Sequence, residues 1–233
     1  MQTTLILSIS SAAAADEKNP AQPAANTGTI QGTVSYTSDA KRPWRYARYY
    51  VDDKNAGRLA ESLVCLRLMK PTEGTPKREQ AKVVIDQKDF RFIPETIAIR
   101  AGDRVKFTNS DFSVHNVSTN NDLHPFDLTL GHDDEAVEAF PRAGGPRRPI
   151  VIGCKFHGSM RAWIYVFDHP WYQVTAADGA FSLKEVPAGV YQLEMVHSAG
   201  QLRWNQRVEI AAGQTHTMAI TVSPDNLFVG NKQ

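Results

Sequence analysis

The stretch Ile150-Val-Ile-Gly-Cys-Lys-Phe-His-Gly-Ser-Met-Arg-Ala-Trp-Ile-Tyr-Val-Phe167 decides how this chain is read. Its two ends, Ile150–Ile152 and Trp163–Phe167, are rich in β-branched and aromatic residues and too short for helices, so both read as strands. A short loop joins them, and in it Cys154, His157 and Met160 follow one another at C-x2-H-x2-M spacing. Outward from this loop the strand signal repeats. Val83–Ile85, Ile97–Ile99 and Val105–Phe107 are β-branched or alternating runs, broken by Pro94 and by Ala101-Gly102-Asp103. Downstream, Asp178-Gly179 is a hairpin signal flanked by Tyr172–Val174 and Phe181–Leu183. Pro187-Ala188-Gly189 and Ala211-Ala212-Gly213 mark later turns, and only Asn55–Ser62 reads as helical. The fold class is all-β and sandwich-like.

Composition narrows the function classes. At about 150 residues per domain, 233 residues make one or two domains. With 42% hydrophobic and 22% charged residues the chain is globular in type, not disordered. Lys plus Arg (26) balances Asp plus Glu (25), which argues against nucleic acid as a partner. No apolar run approaches the ~20 residues of a membrane span. Two cysteines exclude a disulfide-rich scaffold and a four-cysteine metal site. Residues 1–15 (MQTTLILSISSAAAA) form a candidate signal peptide, although no Lys or Arg precedes the apolar stretch. Residues 16–27 are polar and proline-bearing, as in a linker.

The chemistry gathers in the middle of the chain. In Thr108-Asn-Ser-Asp-Phe-Ser-Val-His-Asn-Val117 a strand ends in a loop that presents His115. With Cys154, His157 and Met160 it offers two imidazoles, one thiolate and one thioether, the donor set of a blue-copper electron-transfer site. A loop between neighbouring strands can bring three of these to one metal while the fourth comes from an adjacent strand. Each residue also has an ordinary reading. Met160 is a core filler, and Cys154 is a disulfide partner for Cys65. His124, Asp127 and His132 are either a small extra metal site or solvated loop residues. The run Lys41-Arg-Pro-Trp-Arg-Tyr-Ala-Arg-Tyr-Tyr50 interleaves cations with rings, as an exposed surface, as a platform for stacking nucleobases or as a dock for an acidic redox partner, and export favours the last over nucleic acid.

Two resemblances organise these observations. Residues 79–167 resemble a cupredoxin of the plastocyanin and amicyanin type, carried by F-x-P-x-x-I-x-I-x-x-G-D-x-V-x-F-x-N from Phe92 to Asn109 and by the short spacer before Met160. The arginine- and glycine-rich segment 140–150 departs from that pattern. Residues 28–70 and 168–223 resemble a carboxypeptidase regulatory-like (transthyretin-like) domain, on the opening strand Gly28–Val34, Asp178-Gly-Ala-Phe-Ser-Leu183 and the hairpin continuation Val186-Pro-Ala-Gly-Val-Tyr-Gln-Leu193. The expected architecture is thus a Greek-key cupredoxin β-sandwich inserted in a second, transthyretin-like β-sandwich, with 224–233 as a tail. Proteins of the methylamine-utilisation type combine such domains, and the run from Met160 into His169-Pro-Trp-Tyr172 is similar to theirs.

The resemblance implies that His115, Cys154, His157 and Met160 hold one type 1 copper ion, with Met160 axial and His157 as the exposed edge where electrons leave. It implies that Asn116 hydrogen-bonds near the thiolate and ties the ligand loops together. Copper oxidases and nitrite reductases place a histidine beside the ligand cysteine, whereas Gly153 and Lys155 flank Cys154 here. The expectation is therefore a periplasmic or secreted carrier of single electrons between redox protein partners, and not an enzyme. The alternatives are a copper-binding module for sensing or storage without redox turnover, or an extracellular β-scaffold.

Overall fold

The computed structural model describes residues 26–67 and 78–228, so the leader 1–15, most of the linker 16–27 and the end of the tail lie outside the described residues. Among the described residues the regular structure is nearly all strand, in four sheets. Two sheets come from residues 82–167. One orders Glu135–Ala139, Arg104–Asn109, Lys82–Lys88 and Arg91–Ile93; the other orders Phe126–Leu130, His115–Thr119, Ile150–Gly153, Arg161–Phe167 and Thr96–Arg100. Their inner faces follow the period-2 rule: in Arg104–Asn109 the buried positions are Val105, Phe107 and Asn109. Ile85, Phe92, Val105 and Phe107 close one core with Ile97, Val117, Ile152 and Ile164. Burying each such side chain stabilises by about 1.5–3 kcal/mol, so this pair of sheets has enough apolar contact to serve as a rigid frame.

The other two sheets draw on both ends of the described chain. Thr27–Tyr36 lies between Ala180–Pro187 and the parallel strand Thr215–Val222, and also bridges to Arg58–Leu59. Leu63–Arg67 lies between Tyr172–Val174 and Gly189–His197, and the latter pairs along its length with Leu202–Ile210. Ile30, Val34, Leu66, Leu193, Met195 and Ile220 share a second core. At Gly32 a Cβ would meet the Met218 carbonyl oxygen at 1.8 Å, so only glycine lets these two strands pair in parallel.

A third apolar cluster joins the two pairs of sheets. Leu63, Cys65 and Val196 on one side pack with Tyr165 and Phe167 on the other, and all five are buried. The Tyr165 hydroxyl meets that of Ser198, and the Thr96 N–H donates to Glu61 Oε2 at 2.8 Å.

Three expectations need correction. Asp178-Gly179 forms its turn, with Gly179 at φ +66° donating to the Ala176 carbonyl, but the flanking strands do not pair. Tyr172–Val174 joins Leu63–Arg67, and Ala180–Pro187 joins Thr27–Tyr36. The expected Val186–Leu193 hairpin likewise crosses from one sheet to the other at Ala188. Asn55–Ser62 is not a helix: Ala56, Gly57 and Glu61 take positive φ, and Arg58–Leu59 is a short strand. Among the described residues the one α-helical turn is Ala47–Tyr50. In the part of 224–233 that is described, Ser223 caps the 3-10 turn Pro224–Asn226 and Leu227 bridges to Leu202.

Candidate metal centre

Register delivers the site. Ile150–Gly153 and Arg161–Phe167 pair antiparallel, with Gly153 opposite Arg161, so the loop from Cys154 to Met160 closes directly over the sheet. Gly153 also lies opposite Ser118 on the neighbouring strand His115–Thr119, which sets that strand's first residue beside the loop. Within the loop, the His157 N–H donates to the Cys154 carbonyl (3.3 Å) and the Met160 N–H to the His157 carbonyl (3.0 Å). The Cys154 N–H returns to the Met160 carbonyl at 3.4 Å. These bonds hold Cys154, His157 and Met160 in one tight loop, which is what the C-x2-H-x2-M spacing allows.

His115, Cys154 and His157 come together. Their ligand atoms all lie within 4.8 Å of one another. His115 Nδ1 is 3.0 Å from His157 Nδ1, and Cys154 Sγ is 3.5 Å from the same nitrogen. His115 and Cys154 are buried, and His157 is half-buried. Met160 is 1% exposed and packs in the same cluster as Cys154 beneath the loop. Asn116 links the pieces: its backbone N–H donates to Cys154 Sγ at 3.3 Å, and its side-chain oxygen accepts from the Lys155 N–H at 3.3 Å. Its amide donates to Asp127 Oδ1 (2.7 Å) and to the Leu128 carbonyl (2.8 Å).

Two residues join the site that sequence reading did not single out. Asp111 Oδ2 lies 2.7 Å from His115 Nε2, which fixes the proton on that nitrogen and turns the Nδ1 lone pair inward. Burial raises the Asp111 carboxyl, but N–H bonds from Phe90 and Asp89 and its contact with His115 outweigh this and hold it below its ordinary value. Phe90 stands edge-on to both imidazoles, at 5.4 Å from His115 and 4.9 Å from His157. An acid four residues before the histidine was the only signal for Asp111, and nothing in the sequence marks Phe90.

The donor chemistry fits copper. Two imidazole nitrogens and a thiolate, close enough to share one ion, with a thioether sulfur in the same loop, suit a soft, first-row metal. Cys65 and Cys154 are both free, and Cys65 lies in the apolar cluster between the two pairs of sheets with its thiol pushed well up by burial. His124, Asp127 and His132 do not gather. His124 faces Glu138, Asp127 pairs with Lys155, and His132 stacks on Phe112. Arg147 and Arg148 of the departing segment reach Glu194 and Asp122 rather than the ligand loops.

Residues 79–140 match the family of copper binding proteins of the plastocyanin/azurin type. Over those residues the chain is similar to that family. The match ends before the loop that holds Cys154, His157 and Met160. A comparison with curated proteins found no match. Among solved structures, amicyanin from Paracoccus versutus is 20% identical at a TM-score of 0.33, over 45% of this chain and 97% of that one. A purple cupredoxin from Nitrosopumilus maritimus is 19% identical at a TM-score of 0.32, over 36% of this chain and 99% of that one. The Cu-containing nitrite reductase from Thermus scotoductus SA-01 is 22% identical at a TM-score of 0.33, and the match spans 42% of this chain and only 25% of the reductase. That last likeness corrects the expectation that the chain is not an enzyme. Among the described residues no helix is long and apolar enough to cross a membrane.

Proposed function

We propose that the cupredoxin domain holds one type 1 copper ion on His115, Cys154, His157 and Met160, and passes single electrons between redox protein partners. The observation that carries this reading is the His115–Cys154–His157 cluster with the Asn116 N–H on the sulfur. Copper, when bound, supplies the one-electron couple.

The chain's own residues do the rest. Asp111 orients His115 through Nε2. The Asn116 N–H stabilises negative charge on Cys154 Sγ, and its side chain braces the two loops against each other. Burial of His115 and Cys154 excludes water, while half-buried His157 offers an edge through which electrons pass. Phe90, Phe112, Val114 and Phe156 are exposed on or beside the ligand-bearing loops, an apolar rim suited to brief docking.

The same reading extends to architecture and location. Sheets drawn from 27–67 and 172–222 support a regulatory-like domain interrupted by the cupredoxin. The leader-like residues 1–15 support an exported protein. Voltammetry of the copper-loaded protein tests the function: a reversible one-electron response is expected. Stoichiometric copper binding without a reversible response would overturn electron transfer and leave storage or sensing.

A further inference from the structure

We propose that a cleft beside the metal loop binds a planar aromatic anion. The cleft has a volume of ≈ 510 Å³, the size of a small-molecule site, and lies between the two pairs of sheets. One wall is the run of cations and rings that begins at Lys41: Arg45, Tyr46, Tyr49 and Tyr50 line it. The opposite wall is cupredoxin: Phe90, Arg161 and Trp163, with Gly158 and Ser159 directly after His157. The inference is independent of the copper reading, because it uses no metal ligand.

Charge selects an anion. Three guanidinium groups (Arg45, Arg91 and Arg161) face the cleft against one carboxylate, Glu95. Glu95 is already committed: Oε1 accepts from Arg91 at 3.0 and 2.7 Å, and Oε2 accepts from the Tyr50 hydroxyl. Among the described residues, Arg45 and Arg161 have no carboxylate partner, and both are exposed. They are free to take a carboxylate in the bidentate manner that arginine favours.

Shape selects a planar ring. Arg45 is held over the Tyr46 ring at 4.6 Å and donates to its hydroxyl at 2.5 Å, so this wall is set before any ligand arrives. Tyr49 is 57% exposed and Phe90 48%, which leaves apolar faces on both sides for a ring to stack on. Trp44 anchors the run from behind: its indole N–H donates to the Gly200 carbonyl at 3.1 Å, and a Cβ on Gly200 would meet the indole at 1.9 Å. These rings and cations are therefore fixed at the mouth of a cleft, which a solvated surface strand does not require.

Calorimetric titration of the metal-free full chain with 2-naphthoate tests the proposal, beside 2-naphthamide (the same ring uncharged) and acetate (the charge without the ring). Saturable one-to-one binding of 2-naphthoate is expected, weakened at least roughly tenfold in both Arg45→Gln and Arg161→Gln. These exposed side chains hold no fold-bearing ion pair, so far-ultraviolet circular dichroism of both variants should match the parent. Any of these results would overturn the proposal: no saturable heat with 2-naphthoate, binding by either variant as tight as the parent's, or 2-naphthamide or acetate binding as tightly as 2-naphthoate.

Discussion

His115 Nδ1 and His157 Nδ1 face each other at 3.0 Å, although they stand on different strands and loops. Two imidazoles so placed share a proton or a cation, because two lone pairs at that distance repel. Asp111 takes the Nε2 side of His115, so the inward nitrogen is the one available to a metal. The pair is thus arranged for a third party before one arrives.

Asp111 is accordingly a positioning residue. Asp111→Ala is expected to weaken copper binding by about 10- to 100-fold, with Asp111→Asn recovering part of it because the amide oxygen still accepts from Nε2. Competition with a chromophoric copper chelator measures this. Equal affinity in the parent and Asp111→Ala would show that His115 needs no such support.

Asn116 braces the scaffold as well as the sulfur. Its side chain is buried and satisfies the Leu128 carbonyl and the Lys155 N–H. Asn116→Ala leaves those groups unpaired, at a cost of about 1–3 kcal/mol. Urea unfolding of the metal-free protein gives the number, and a change below a few tenths would mean that water replaces the amide freely.

How much of this was legible in the sequence follows from what each signal encodes. Period-2 runs such as Val105–Phe107 specify a strand and its inner face, and those strands formed. Asp178-Gly179 specifies a reversal of the chain but not which sheet receives the next strand, so a turn between sheets looked like a hairpin. Asn55–Ser62 has helix-compatible residues, yet tertiary pairing of Arg58 with Ser35 and Asp52 drew it into a sheet edge. The ligand spacing was legible because it is local. Phe90 was not, since only the fold carries a loop some distance away onto the two imidazoles.

A pH dependence arises outside the candidate metal centre. Burial lowers the His197 imidazole to about 4, and the ring packs between Trp44 and Tyr50 with Nδ1 accepting from the Gly200 N–H. Its folded pKa is depressed below the unfolded value of about 6.5. This contribution to stability is therefore complete above pH ~6.5 and is lost as pH falls towards 4. Nitrogen-detected NMR should find His197 neutral at pH 5, with urea midpoints declining below pH ~6.5. A charged His197 at pH 6 in the folded protein would contradict this.

The most direct measurement of the copper site is the visible spectrum during titration with Cu²⁺, run on the parent and on Cys154→Ser. The parent is expected to develop an intense thiolate-to-copper charge-transfer band that saturates at one equivalent, and the variant is expected to show none. A parent without that band, or a variant that keeps it, would mean that Cys154 does not hold copper and that the cluster serves another purpose.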